Sequence, residues 1–291
     1  MVTKKDIGIK EMLMESRKVN VDAFLPELKK YGRMHRWYFH YTTMCVLEKM
    51  LANGMLFLSR VSEMNDGKEA KTVPGNVFGA CFSSGGAESV AMWNTYGIPR
   101  KDAVRLCFDG RLMRKFLDGK FGDLKCQARN KDGDVIDDIP PEKVEMTMTD
   151  IVYATTGKKY FQYREKQCSV IDENGKALNL LGTRFAGYVK MCGWSYEREI
   201  RLLLTLKRGY IIPCMEKISV DFSGVIKCIK RNRKIYKQFP ILLGPWTEPS
   251  RKAKLLERKL KVGSSIFTGY LDRVKTACDK CKATFKENTS S

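Results

Sequence analysis

Two histidines serve the whole 291-residue chain, His35 and His40. A Ser-His-Asp triad or a His-rich metal site is therefore hard to assemble, and attention falls on single positions. His40 closes the aromatic run Trp37-Tyr-Phe-His-Tyr41 and is followed by Thr42. Residues at a strand's carboxyl end and in the next turn commonly face a ligand cleft. The alternative is a histidine hydrogen-bonded inside the core. A second candidate is Trp194-Ser-Tyr-Glu197-Arg-Glu199-Ile-Arg201. Alternate residues of a strand share a face, so Glu197, Glu199 and Arg201 are expected on one side and Tyr196, Ile200, Leu202 and Leu204 on the other. Such a row is an exposed ion ladder or the floor of a site. Exposed pairs stabilise little. The run turns apolar on both faces after Arg201, so Glu199 is expected where burial begins, and a carboxylate there needs a partner or a task. The third candidate is Cys81-Phe-Ser83, followed by Trp93 and Tyr96. Aromatics beside a Ser/Gly loop can stack on a flat ring or fill the core.

Several familiar chemistries leave no signature. The sequence has no G-x-G-x-x-G, no Walker-type loop, no H-E-x-x-H and no G-x-S-x-G. Cys278-Asp-Lys-Cys281 has zinc-knuckle spacing, but a structural zinc needs four ligands and no second C-x-x-C exists. No metal is expected.

The elements that position these residues read as follows. Asp22 is an expected cap for a helix from Ala23, within a loosely attached helical arm at 1–35. The main domain is expected over 36–265. It starts with a strand at Trp37–Tyr41, then a helix capped by Thr42 or Thr43 and ended by Asn53-Gly54, then a strand at Met55–Ser59. Further strands are expected at Val77–Phe82, Val104–Phe108, Ile151–Tyr153, Glu199–Leu206, Ile218–Phe222, Val225–Ile229 and Pro240–Leu243. Short helices are expected at Glu88–Tyr96 and Asp109–Phe116, and longer ones over 178–192 and from Pro249. The stretch 118–150 is rich in turn residues. Residues 266–291 form a C-terminal helix and a polar tail. Strands outnumber helices and most intervals are too short for βαβ crossovers. The expected fold class is α+β, a mixed, strand-rich core with peripheral helices.

Composition sets the partners. Hydrophobic residues make up 43% of the chain, enough for a substantial core. Lys and Arg number 53 against 33 Asp and Glu, a net charge of +20. That excess favours polyanions, nucleic acid first. Lys227 to Lys237 holds six cations, among them Lys230, Arg231, Arg233 and Lys234, with Tyr236 interleaved. Arg251, Lys252, Lys254, Arg258, Lys259 and Lys261 follow. The alternatives are a phosphate-binding stripe and a solvated helix face. The ten cysteines read as reduced thiols. No stretch reaches the roughly 18 apolar residues of a membrane span. The N-terminus lacks the apolar core of a secretory signal. A cytoplasmic location and no membrane partner are expected.

Taken in order, His40-Tyr-Thr, Leu58-Ser59, Asn65-Asp66, Cys81-Phe-Ser83, Met92-Trp93-x-x-Tyr96, Trp194-x-Tyr-Glu-x-Glu-x-Arg201 and Leu243-Gly244-Pro245 resemble the bacterial domain of unknown function 2971 family, over about residues 37–262. That family is similar to a distant branch of the ADP-ribosyltransferase superfamily. The resemblance implies that fold and NAD as a consumed substrate, with no metal. It implies NAD-binding roles for His40, Tyr41, Thr42 and Ser59, a nicotinamide-stacking role for Trp93 or Tyr96, and catalytic roles for Glu199, Glu197 and His40. It further implies a transferase, in such families a toxin or phage-defence effector, acting on nucleic acid or an acidic or nucleic-acid-associated protein. The usual Ser-Thr-Ser middle motif is not clearly present, and Arg201 could tie down the carboxylates. A non-catalytic nucleic-acid-binding module keeping the same fold is the alternative.

Overall fold

The structure is a computed structural model that describes residues 18–64, 66, 71, 73–96, 102–154, 160–163, 166–179, 185, 187–230 and 239–268. Arg231, Arg233, Lys234, Cys278 and Cys281 lie outside the described residues, as does the side chain of Lys230. In chain order the elements begin with β1 (Lys18–Asn20), α1 (Val21–Gly32), β2 (Trp37–Thr43), α2 (Met44–Asn53), β3 (Met55–Arg60) and β4 (Val77–Ser83). Next come α3 (Val90–Tyr96), β5 (Ala103–Asp109), α4 (Gly110–Leu117), β6 (Cys126–Arg129), β7 (Val135–Ile139) and β8 (Val144–Asp150). Then follow β9 (Val152–Ala154), β10 (Tyr160–Tyr163), β11 (Lys166–Ile171), β12 (Val189–Met191), a 3-10 turn (Cys192–Glu197) and β13 (Glu199–Leu206). The chain continues with β14 (Lys217–Asp221), α5 (Ser223–Lys230), β15 (Ile241–Leu243), α6 (Pro249–Glu257) and β16 (Val262–Ser264). The protein is mixed α+β with extensive antiparallel pairing.

The chain groups into two compact units. Unit 1 takes Met1–Tyr38, Gly54–Ser84 and Asp109–Val225, and unit 2 takes Phe39–Asn53, Gly85–Phe108 and Ile226–Ser291. In unit 1, β13 runs antiparallel between β4 and β8. Strand β4 also pairs β3, and the sheet continues through β14, β6 and β7, antiparallel throughout. A smaller sheet of order β1-β11-β10-β9-β12 belongs to the same unit. Helix α1 packs on that smaller sheet. Its Phe24 and Leu28, one turn apart, are fully buried with Val152, Ala154, Val170 and Val189. Burying two such side chains stabilises by roughly 1.5–3 kcal/mol each. The N-terminal helix is thus core, not the loosely attached arm expected for 1–35. Asn20, not Asp22, caps it, its side chain accepting from the Asp22 N–H at 2.9 Å. The last residue of α1, Gly32, lies so close to β8 that a Cβ there would sit 2.4 Å from the Thr149 Cα. In unit 2, β15 pairs β16 in parallel and β5 antiparallel.

Local chemistry explains most of the agreement. The Val46 N–H reaches the Thr43 hydroxyl at 3.4 Å, starting α2 as expected. Gly54, at φ 70°, ends it, a backbone region glycine enters without cost. Three expectations fail. Residues 178–192 do not form one helix, because Val189–Met191 is strand β12, paired in parallel with β9. Gly187 at φ 81° turns the chain before it. Val225–Ile229 is helical, not extended. The Asp221 carboxylate accepts from the Ser223 N–H at 2.9 Å, and Val225, Ile226 and Ile229 bury one helical face. The turn-rich stretch 118–150 holds three strands, β6, β7 and β8. Strand β7 hid because its residues Val135 to Asp138 are all exposed and carry no alternation.

Candidate functional site

Glu199 opens β13, and Arg201 follows it on the same face. Glu197 is not on the strand. It ends the 3-10 turn, and Arg198 links the two in a left-handed conformation, φ 44° and ψ 51°. That kink keeps both carboxylates pointing inward although the strand alternation has not yet begun. The Arg198 carbonyl is fixed by the Ser84 N–H at 2.9 Å. Lys190, from β12, reaches both acids: its Nζ lies 2.6 Å from Glu197 and 2.9 Å from Glu199. The Arg201 Nε donates to Glu199 at 2.6 Å, and its Nη1 donates to the Gly187 carbonyl at 3.2 Å. The Glu199 N–H donates to the Tyr153 hydroxyl at 2.8 Å. Lys190 and Arg201 are 0% exposed, Glu197 1% and Glu199 3%.

Two anions and two cations therefore sit in one buried cluster whose formal charges cancel. Burial alone would raise the Glu199 carboxyl, but Arg201 and Lys190 outweigh it and draw it down to about 2. Burial would likewise lower the Lys190 ammonium, yet Glu199 holds it above its usual range. Cys81, across the ladder from Arg201, meets the same carboxylate. Burial and the Glu199 charge push its thiol well up, so it stays protonated and serves as a donor. Both Glu199 oxygens are committed to cations. The cluster can bind β12, the 3-10 turn and β13 into one piece. To act on a sugar, Glu199 would first have to leave its partners.

The remaining expected residues divide between the units. Ser59 is exposed on β3 of unit 1. His40, Tyr41, Thr42, Trp93 and Tyr96 belong to unit 2. They do not form one face. Strand alternation puts Tyr41 on one side of β2 and His40 with Thr42 on the other. The Trp93 ring is 0% exposed, edge-on to Tyr41 at 4.8 Å, and its Nε1 donates to Glu88 at 3.1 Å. It is a core side chain, not a free stacking platform. Tyr96 is half-buried.

Two residues escaped the sequence reading. Lys190 holds both carboxylates, and Arg105 is buried on β5. Each is a single cation inside an apolar run, Val189-Lys-Met191 and Val104-Arg-Leu-Cys-Phe108, and that pattern is the signal that would have found them. Among the described residues no cluster of His, Cys, Asp and Glu is arranged to hold a metal ion, and no helix is long and apolar enough to cross a membrane. Comparison with protein-family models, curated proteins and solved structures finds no match to this chain.

Proposed function

We propose that this chain binds a polyanion, nucleic acid first, through the basic surface of unit 2. One observation carries this reading, the uneven placement of charge. Unit 2 holds 21 Lys and Arg against 8 Asp and Glu, whereas the longer unit 1 holds 32 against 25. A field of one sign concentrates a phosphate backbone, and contact releases its counterions. Lys227, Lys254, Arg258, Lys259 and Lys261 are exposed. Nearby cations are spent locally, Arg251 on Asp102 at 3.1 Å and Lys252 on the Ser264 hydroxyl at 3.1 Å. The test is fluorescence anisotropy with labelled oligonucleotides across a salt series. Affinity should fall steeply with salt, about 0.9 of a log unit per log of salt for each duplex phosphate contacted. Charge reversal at Lys254, Arg258 and Lys259, or at Lys230, Arg231 and Arg233, should weaken binding and flatten that slope. Reversal at Lys207 and Arg208 of unit 1 should do neither. Salt-independent binding, or equal loss from the unit 1 variant, sinks the reading.

NAD-dependent ADP-ribosyl transfer is a second reading, supported by one observation. Glu199 is the register partner of Ser83, so the Glu-x-Glu and Cys81-Phe-Ser83 segments meet despite their distance in sequence. Cleaving the ribose–nicotinamide bond builds positive charge on the sugar, which a fixed carboxylate stabilises. Transfer of label from NAD to protein or nucleic acid, abolished by Glu199→Gln in a sample shown to be folded, would support it. No transfer by the wild type onto either acceptor removes it.

A further inference from the structure

Four cationic side chains are buried among the described residues: Arg105, Arg129, Lys190 and Arg201. Lys190 and Arg201 are neutralised by Glu197 and Glu199. Arg129 gives hydrogen bonds to the Ser219 hydroxyl at 2.6 Å, the Gly133 carbonyl at 2.6 Å and the Gln127 side chain at 3.1 Å. Arg105 is different. It is 5% exposed, yet among the described residues it makes a single long hydrogen bond, from Nη1 to the Tyr41 hydroxyl at 3.4 Å. Its guanidinium lies over the rings of Phe39 at 4.6 Å and Tyr41 at 5.8 Å. No carboxylate pairs with it among the described residues. An arginine cannot shed its proton, and aromatic faces return only part of the hydration it lost.

The geometry points to an oxyanion site of phosphate type in unit 2, anchored by Arg105. The flat fork of a guanidinium matches phosphate oxygens in pairs, and among the described residues Nε and Nη2 have no protein acceptor. Its contacts with the Phe39 and Tyr41 rings hold the guanidinium in place before a ligand arrives. Tyr41 adds a second donor. Its oxygen accepts from Arg105, which leaves its own O–H proton to give. The Tyr41 ring is in turn wedged against Trp93. Beside Trp93 on α3 stands Asn94, whose Oδ1 is the one buried side-chain polar atom without a partner among the described residues. The site is distinct from the exposed lysines of the polyanion reading, being one buried arginine rather than a spread surface.

Titration calorimetry with inorganic phosphate and with AMP, at ionic strength held constant with chloride, tests the assignment. Saturable binding of at least one probe is expected. Arg105→Met should weaken it at least tenfold and Tyr41→Phe by a smaller factor. In phosphate-free buffer Arg105→Met should melt at or above the wild-type temperature, because an unmatched charge has left the interior. Binding of phosphate alone or of both probes identifies the free oxyanion as sufficient, and binding of AMP alone identifies a nucleotide's phosphate. No saturable binding of either probe overturns the site. So does undiminished binding by Arg105→Met, or a lowered melting temperature, which marks the arginine as structural. Oligonucleotide affinity retained in Arg105→Met while AMP binding is lost would leave the polyanion reading intact and separate.

Discussion

Replacing Glu199 by Gln changes one charge and almost no volume, and the closed cluster makes its cost predictable. In the native protein Glu197, Glu199, Lys190 and Arg201 sum to zero in a place where none is more than 3% exposed. Glu199→Gln leaves two cations against one anion. Lys190 keeps Glu197 at 2.6 Å, but Arg201 loses the acceptor of its 2.6 Å hydrogen bond. Breaking a buried pair from one side costs about 3–5 kcal/mol, because the survivor is left desolvated and unmatched. That is a large part of the roughly 5–15 kcal/mol that holds an ordinary domain together. At about 2–4 °C per kcal/mol for a chain of this size, the melting temperature should fall by roughly 6–20 °C. Calorimetry at neutral pH would measure it, with circular dichroism as a check that the transition stays two-state. The double variant Lys190→Met/Glu199→Gln is the decisive partner. It restores neutrality, with Glu197 and Arg201 left as one anion and one cation, so its loss should be well below the sum of the two single losses. A carboxylate kept free for catalysis behaves otherwise, since its removal is neutral or even stabilising. If Glu199→Gln melts within 2 °C of the wild type, or the double variant is additive, the closed neutral cluster is wrong.

The same cluster sets an acid limit. Glu199 has its folded value lowered to about 2 against an ordinary 4.5, so its contribution is fully present above about pH 4.5 and is lost as pH falls towards 2. Denaturant midpoints measured between pH 6 and 2 should drop across that window in the wild type and less in Glu199→Gln. Leu28→Ala on α1, 0% exposed among Phe24, Val152 and Val170, should cost about 2–5 kcal/mol. Denaturant unfolding of that variant checks whether the N-terminal helix is core, and a cost below 1 kcal/mol would return it to a loose arm.

Legibility followed the strength of local signals. The run Trp37 to Ser59 could be read nearly to the residue. Its periodicity switches from two to helical and back, and Thr43 and Asn53-Gly54 mark the switches in chemistry that acts within a few residues. Strand β13 was equally plain, as eight residues with an apolar face and no turn former. Strands β6 to β8 were not, because long-range pairing rather than local preference makes them. Gln127 and Asp138, or Met148 and Leu202, are neighbours only once the sheet exists. At the site, the face shared by Glu199 and Arg201 followed from alternation alone. The role of Glu197 did not, since it depends on a left-handed Arg198 that side-chain type does not announce. Trp93 was readable as core or as platform, and its zero exposure assigns it to the core.

The buried cations together argue where a ligand charge belongs. A protein that buries Lys190 and Arg201 answers each with a carboxylate, and one that buries Arg129 answers with three neutral acceptors. Among the described residues the same chain leaves Arg105 with one long hydrogen bond and two aromatic rings. Folding alone gives no reason for that difference, because a leucine on β5 would pack beside Phe39 without the cost of losing hydration. The arginine is accounted for if its missing partner comes from outside. The carboxylates to which the sequence first drew attention are the more complete arrangement, and completeness is what a structural cluster needs. An incomplete arrangement, set against two aromatic rings and supplied with a second donor from Tyr41, is what a binding site needs. The two units thus carry opposite electrostatic solutions, a neutral lock in unit 1 and an unmatched buried positive charge in unit 2, and Glu199→Gln should lower the melting temperature whereas Arg105→Met should not.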